Sequence, residues 1–131
     1  MKVLALILGL VVCLSAVSAR EGYTPLAAEE LPNLEDVLTI GSRASLKLAL
    51  EEGKIAPGIF HVDKLLSLAR QIREDATSYE VIVEVSDNLN PNAFGVVEYI
   101  LEQSNESKNS EYVLKAHFVT MANKKNVNSD F

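Results

Sequence analysis

The chain opens with a continuous run of apolar residues. The segment MKVLALILGLVVCLSAVSA has one basic residue, Lys2, ahead of that run, and the small residues Val17, Ser18 and Ala19 at its end resemble an A-x-A cleavage site. This order is typical of a secretory signal peptide. The uninterrupted run is shorter than the ~20 residues that cross a bilayer. We therefore predict a signal peptide over residues 1–19, a mature domain over residues 20–131, and a secreted, extracellular location.

The next apolar residues recur at helical intervals. They are Leu34, Val37, Leu38, Ala44, Leu48 and Ala49. Asn33 stands where a helix N-cap is expected, with Asp36 three residues later, as in a capping box. Gly53 stands where a helix-ending glycine is expected. The pattern predicts a helix over residues 34–52, although Gly41 in its interior weakens it by roughly 1 kcal/mol relative to Ala.

Two segments alternate with a period of two. In the first, Tyr79, Val81, Val83 and Val85 alternate with Glu80, Ile82 and Glu84. In the second, Tyr112, Leu114, Ala116 and Phe118 alternate with Val113, Lys115, His117 and Val119. Period-two alternation rich in β-branched and aromatic residues is typical of half-buried strands. We predict strands over residues 79–85 and 112–119.

A second helix is predicted between these strands. Asn90 and Pro91 are typical of an N-cap followed by the first helical residue. The apolar residues Ala93, Val96, Val97, Ile100 and Leu101 then form one stripe. The pattern predicts a helix over residues 91–103.

The segment before the first predicted strand permits two interpretations. In KLLSLARQIRED, beginning at Lys64, five apolar residues fit helical spacing, and Leu, Ala, Arg and Gln are good helix formers. The same residues also fit an extended segment that turns and continues into the strand at Tyr79. Periodicity alone leaves a helix over residues 61–74 and a β-hairpin both open.

Residues that could perform enzyme chemistry are sparse. The two histidines, His61 and His117, stand apart in the sequence, and the single cysteine, Cys13, lies in the predicted leader. No metalloprotease, phosphate-loop or serine-hydrolase motif is present. The neighbouring carboxylates Glu74 and Asp75 would point apart in a strand or turn. We predict no enzyme activity, no catalytic residue, no metal site and no cofactor.

The charge balance narrows the class of partner. The chain has 12 Lys and Arg against 18 Asp and Glu, a formal charge of −6, and loss of Lys2 with the leader makes it more negative. An acidic surface argues against nucleic acid and anionic membrane as partners and leaves a protein open. Asn105, followed by Glu106 and Ser107, forms an N-glycosylation sequon in a polar stretch.

From Gly22 to Asp87 the sequence resembles the cystatins, secreted inhibitors of papain-like cysteine proteases. Their pattern is a long helix, a strand with a Lys followed by apolar residues and a Ser, a Gln-x-Val-x-Gly turn, and a returning strand of Tyr with alternating Val and Glu. The similar parts here are residues 34–52, FHVDKLLS (60–67), QIRED (71–75) and YEVIVEV (79–85). The resemblance implies an α+β fold with a long helix packed across an antiparallel sheet, and it favours the hairpin. The family fold ends in a further strand, and we expect this chain to be too short to supply it completely.

The resemblance also implies a protease-contacting edge. Cystatins fill the protease cleft with an N-terminal glycine arm, the first hairpin turn, and a second turn that usually carries Pro-Trp. The matching residues, and hence the candidate protease contacts, are Gly22, Gln71, Ile72 and Arg73. Residues 121–123 (Met-Ala-Asn) are the positional candidate for the second turn.

The turn departs from the family pattern. Arg73 stands in the place of the Val and Asp75 in the place of the Gly, and the chain has no Trp. Burying Glu74 and Asp75 in a cleft without partners would cost on the order of several kcal/mol. We therefore expect a secreted cystatin-like protein, nominally an inhibitor of papain-type cysteine proteases, with weakened activity. The alternative is a non-inhibitory secreted module that uses the same scaffold to bind another extracellular protein.

Overall fold

One helix packs on a five-stranded antiparallel sheet in the computed structural model, which describes residues 22–106 and 111–123. The elements are β1 (Thr24–Pro25), a 3-10 helix (Ala28–Glu30), α1 (Leu34–Glu51), β2 (Phe60–Ile72), β3 (Ala76–Asp87), β4 (Asn90–Ser104) and β5 (Tyr112–Asn123). Neighbouring strands pair in the order β1-β2-β3-β4-β5. The predicted α+β class is therefore confirmed. The predicted signal peptide, residues 1–19, lies outside the described residues.

The main core lies between α1 and one face of the sheet. Every second residue of β3 and β4 points toward the helix, and these side chains are almost completely buried: Tyr79, Val81, Val83, Val85, Val97, Tyr99 and Leu101. Val37 of α1 packs among them with no exposed surface. The period-two pattern of residues 79–85 thus reports the burial of one sheet face against the helix.

Gly41 is the point of closest approach between α1 and the sheet. A Cβ atom at this position would overlap the ring of Tyr99. The Tyr99 hydroxyl donates a hydrogen bond to the Val37 carbonyl at 2.8 Å. Burial raises the pKa of the Tyr99 phenol, so the hydroxyl stays protonated and remains a donor. The glycine that weakens the helix is therefore what lets it lie directly on Tyr99.

The ends of α1 agree with the prediction to within one residue. Gly53 follows the helix with a φ of 73°, a conformation that glycine adopts without strain. Asn33 precedes it, but its side chain makes no cap hydrogen bond, so the predicted capping box with Asp36 is not formed. Instead, Asn33 Nδ2 donates to the hydroxyl of Tyr112 at 2.7 Å. The residue connects the start of the helix to β5.

The C-terminal end of α1 is also connected to β5. The His117 Nε2 lies 2.9 Å from the Glu52 Oε1. This hydrogen bond lowers the pKa of the Glu52 carboxyl, with a further contribution from Lys54. The sequence offered no sign of the pairing, because 65 residues separate its two members.

The predicted helix over residues 91–103 is wrong, because this segment forms β4. Val97, Tyr99 and Leu101 face α1, whereas Phe94 and Val96 belong to a second apolar cluster, which also contains Ile82. A strand with apolar residues on both faces has no period-two alternation, so the spacing of its apolar residues also fits one face of a helix. The β-branched and aromatic content was the remaining signal for a strand.

The contested segment is a strand, so the helix over residues 61–74 is wrong and the hairpin is confirmed. β2 pairs antiparallel with β3 from Phe60↔Asp87 to Ile72↔Thr77. Its register shifts twice, between Val62 and Lys64 and between Leu65 and Ser67. Each irregularity interrupts the alternation of faces, which explains why KLLSLARQI shows no period of two.

The last strand is complete. β5 pairs with β4 from Gln103↔Tyr112 to Ala93↔Asn123. The predicted incomplete last strand is wrong, because residues 91–103 supply a strand instead of a helix. Within the described ranges, no helix is long and apolar enough to cross a membrane.

The contact at Gly41 predicts an unusual mutational effect. Helix propensity alone predicts that Gly41→Ala stabilises α1 by about 1 kcal/mol. Because the new methyl group overlaps the Tyr99 ring, we expect the free energy of unfolding to fall by about 1–3 kcal/mol instead. Urea denaturation followed by circular dichroism measures the change.

The exposed position Lys47 of the same helix offers a control. Lys47→Ala should change the free energy of unfolding by less than about 0.5 kcal/mol. A stabilised Gly41→Ala variant would contradict the close packing of α1 on Tyr99.

Candidate functional site

The turn between β2 and β3 brings three separate segments together at one end of the sheet. These are Gly22 before β1, residues 71–75 at the turn, and Asn105 after β4. We refer to Gly22, residues 71–75 and Asn105 as the tip edge. The edge unites all four predicted protease-contacting residues, and Asn105 is an addition that the sequence did not place there.

Gly22 lies directly against Gln71. Thr24 and Pro25 pair with Arg70 and Ala69, which holds the N-terminal arm beside the end of β2. Gly22 has a φ of 92°, and a Cβ atom on it would overlap the side-chain amide of Gln71. Both the backbone angle and the close approach require glycine here. The predicted grouping of an arm glycine with the hairpin turn is therefore present.

The turn itself closes without a glycine. The Arg73 N–H donates to the Ala76 carbonyl at 2.9 Å, which leaves Glu74 and Asp75 at the outermost point. Outside the glycines, no described residue has a positive φ. Asp75 in the place of the family's glycine therefore fits this turn without backbone strain.

Asn105, which follows β4, connects the β2–β3 turn to the β4–β5 hairpin. Its backbone N–H donates to the Asp75 carbonyl at 2.9 Å, and its Nδ2 donates to the Arg73 carbonyl at 2.7 Å. Its Oδ1 accepts a hydrogen bond from the Thr77 hydroxyl at 2.7 Å. These bonds satisfy turn carbonyls that would otherwise need water, and they hold the turn against the end of β4. Glycosylation of Asn105 stays a prediction, and its site lies on the tip edge.

Arg73 folds back along the sheet and pairs with Glu102. The Nη2 atom lies 2.6 Å from the Glu102 Oε2, and Nη1 donates to Gln71 and to Ser78 at 3.0 and 3.1 Å. Ser78 also donates to the Glu102 Oε2 at 3.1 Å. The short bond from Arg73 lowers the pKa of the Glu102 carboxyl and raises the pKa of the guanidinium. The positive charge of Arg73 is therefore largely neutralised by Glu102.

The outer surface of the tip edge is mixed. The Ile72 residue is 66% exposed, so a large apolar side chain faces solvent. The Asp75 side chain is 84% exposed, and its Oδ1 lies 3.8 Å from the Arg73 Nε. At that distance and exposure the ion pair contributes little. The edge therefore presents an apolar contact next to a negative charge.

The candidate second turn, residues 121–123, is in the wrong place. These residues end β5 and pair with Ala93, Phe94 and Gly95, near the β3–β4 turn at the opposite end of the sheet from the tip edge. The segment next to the tip edge is the one that follows β4, where Asn105 lies. The error followed from reading β4 as a helix, which displaced every later element along the sheet.

His61 and its neighbours do not form a catalytic arrangement. Asp63 Oδ1 and Ser86 Oγ both lie within 2.8 Å of the same ring nitrogen, Nε2. A Ser-His-Asp relay needs the two partners on different ring nitrogens. Among the described residues, no group of three or more His, Cys, Asp and Glu could hold a metal ion.

Comparison with solved structures identifies the fold. The crystal structure of the histidine-rich glycoprotein N2 domain matches with a TM-score of 0.50 and 19% sequence identity, covering 76% of this chain and 84% of that one. No family model and no curated protein matches the chain. The helix on a five-stranded antiparallel sheet is a cystatin-like fold, as the resemblance implied. The redox activity described for that domain involves an interdomain disulfide bridge, whereas this chain has a single cysteine, Cys13.

The Arg73–Glu102 pair predicts a pH dependence. Because the folded pKa of Glu102 is lowered below 4.5, the pair stabilises the fold above the unfolded pKa, and this stabilisation is lost as pH falls through the folded pKa. Arg73→Met should move the Glu102 pKa back toward 4.5. It should also reduce stability more at about pH 7 than at about pH 3. Carboxyl NMR titration and urea denaturation at both pH values measure these effects.

Lys115 supplies the matched control, since its Nζ is 3.8 Å from the other Glu102 oxygen. Lys115→Met should move the Glu102 pKa less than Arg73→Met does. Equal shifts in the two variants would contradict the assignment of Arg73 as the main partner.

Proposed function

We propose that this chain is a secreted, non-enzymatic protein whose tip edge enters the active-site cleft of papain-type cysteine proteases and inhibits them weakly. The observation that carries the proposal is the contact between Gly22 and Gln71 next to the exposed side chain of Ile72. These residues lie together at the end of the sheet where β2 turns into β3. The edge offers no catalytic group, so it acts by occupying the cleft.

The acidic residues at the outermost point explain why the inhibition is weak. The Asp75 carboxylate is largely exposed, and Glu74 beside it is exposed as well. Inserting the turn into a cleft removes water from both carboxylates, which costs on the order of several kcal/mol unless the protease supplies partners. Arg73 does not offset this cost, because its guanidinium is bound to Glu102.

A glycan on Asn105 would also limit access to the tip edge. A glycan on its Nδ2 would stand beside residues 73–75, since this nitrogen lies 2.7 Å from the Arg73 carbonyl. A bulky sugar at that position would keep the turn out of a cleft. Binding is therefore best measured on protein made without N-glycosylation.

The charged turn favours a second candidate function. A cystatin-like scaffold does not by itself determine activity, and the exposed Glu74 and Asp75 suit a partner with a basic surface. In this alternative, the chain is a non-inhibitory module that binds another extracellular protein. The signal-peptide pattern of residues 1–19 supports secretion in both cases, and the net negative charge argues against nucleic acid and membranes as partners.

Titration of papain with residues 20–131 tests the proposal. We expect inhibition in the micromolar range for the wild-type chain. Glu74→Ala combined with Asp75→Gly should tighten inhibition by about tenfold or more, because it removes both charges that the cleft would bury and leaves the Arg73–Glu102 pair intact. Residual hydrolysis of a fluorogenic peptide gives the inhibition constants.

Asp36→Ala combined with Glu51→Ala removes the same charge from α1 and should leave inhibition unchanged. Nanomolar inhibition by the wild-type chain would contradict the cost assigned to the acidic residues. Failure of both the wild-type and the Glu74/Asp75 variant to inhibit, in samples shown to be folded by circular dichroism, would overturn protease inhibition and leave the binding module.

A further inference from the structure

A cleft separates α1 from the beginning of β2. Its volume is about 350 Å³, within the range of ligand sites. Leu38 and Leu46 line it from the helix, and Phe60 and Val62 line it from the strand. A neighbouring pocket of about 230 Å³ shares Arg43, Leu46 and Phe60 with the cleft and is also lined by Lys47 and Gly58. The floor of the cleft is apolar, and one wall is a β-strand.

That strand has a free edge next to the cleft. β1 covers only the far part of β2, since Thr24 and Pro25 pair with Arg70 and Ala69. In the described part of the chain, no strand pairs with the outer side of β2 over residues 60–67. An edge of this kind can accept another strand.

The direction of the free backbone groups follows from the neighbouring pairing. The Ile59 carbonyl accepts a hydrogen bond from the Asn88 N–H at 2.7 Å, so Ile59 points toward β3. Backbone groups alternate along a strand, so the N–H and C=O groups of Phe60 and Val62 point away from β3. The same two residues turn their side chains toward the cleft. Backbone hydrogen-bonding groups and an apolar floor are therefore presented side by side.

The two ends of the cleft carry opposite charges. Arg43 and Lys47 lie one turn apart on α1, both exposed, and neither side chain makes a hydrogen bond or ion pair with another described residue. Glu35 lies at the opposite end of the cleft, two helical turns or about 12 Å from Arg43. In a chain of net charge −6, these two exposed cations attract an acidic group locally.

We propose that this cleft binds an extended peptide segment, which adds to the free edge of β2 as a short antiparallel strand. The alternate side chains of the peptide that face the cleft are apolar, and its C-terminal end is acidic and pairs with Arg43 and Lys47. Strand addition supplies affinity through backbone hydrogen bonds to Phe60 and Val62, and the cleft supplies specificity.

The lining residues determine the direction of the added strand. Toward the C-terminal end of α1, the cleft meets Gly58 and Phe60, whereas toward its N-terminal end it meets Val62. An acidic C-terminus beside Arg43 therefore places the peptide antiparallel to β2, like β1. The register irregularity between Val62 and Lys64 ends the regular edge, so the added strand is short.

This surface is independent of the tip edge. Phe60 and Ile72 are the first and last residues of a 13-residue strand, about 40 Å apart at about 3.3 Å per residue. Both surfaces can be occupied at once, and failure of protease inhibition would leave this proposal intact.

The test uses the hexapeptide acetyl-Thr-Val-Thr-Val-Thr-Asp, in which both Val side chains and the Asp share one face of the strand, with a free C-terminus, and uniformly ¹⁵N-labelled protein of residues 20–131. We expect chemical-shift changes at the amides of Phe60 and Val62 and around Arg43 in α1. Arg43→Gln combined with Lys47→Gln should weaken binding by about fivefold, as expected for partly exposed ion pairs. Lys54→Gln combined with Lys115→Gln removes the same charge outside the cleft and should leave binding unchanged.

A modified peptide separates strand addition from simple occupation of the cleft. Methylation of its backbone nitrogens removes the donors and keeps the side chains, so affinity should fall about tenfold or more. Equal binding of the methylated peptide would overturn the proposal. So would the absence of any shift at millimolar peptide. Concentration-dependent shifts at the same residues without peptide would also overturn it, since a second copy of the chain would then occupy the edge.

Discussion

The crossing of α1 over Tyr99 is the contact on which the rest of the structure depends. Gly41 lets the helix backbone lie on the Tyr99 ring, and the hydroxyl of that ring donates to the Val37 carbonyl. The hydrogen bonds Asn33–Tyr112 and His117–Glu52 then attach both ends of the helix to β5. With the helix held over this side of the sheet, a cleft remains between it and β2.

At the tip edge, polar contacts hold a turn that lacks the glycine of the resembling family. Asn105 bonds to two carbonyls of the turn, and Arg73 bonds to Glu102 on β4. The two hairpins are therefore joined at the end of the sheet, which orders Gly22, Gln71 and Ile72 into one edge. Other residues make the turn a poor fit for an apolar cleft, namely the exposed carboxylates of Glu74 and Asp75.

Much of the fold was predictable wherever the sequence keeps a clear period. The limits of α1 came within a residue of the prediction, because its apolar residues keep a helical spacing. Residues 79–85 were correctly predicted as a strand because Glu80 and Glu84 alternate with apolar residues, although both faces of β3 are buried. Periodicity indicated the wrong element for β4, where both faces carry apolar side chains. It could not decide β2, whose register irregularities interrupt the alternation. There the resemblance, and not the periodicity, selected the hairpin.

The sequence alone determined the helix, the returning strand, the acidic balance and the residues of the turn. Local periodicity and residue chemistry are sufficient for these, since they depend on neighbours within a few positions. Only the tertiary structure decided that residues 91–103 form a strand, that Asn105 and Glu102 meet Arg73, and that part of β2 has a free edge. Arg73 and Glu102 are 29 residues apart. Contacts across such separations arise from strand order and register, which no local pattern encodes.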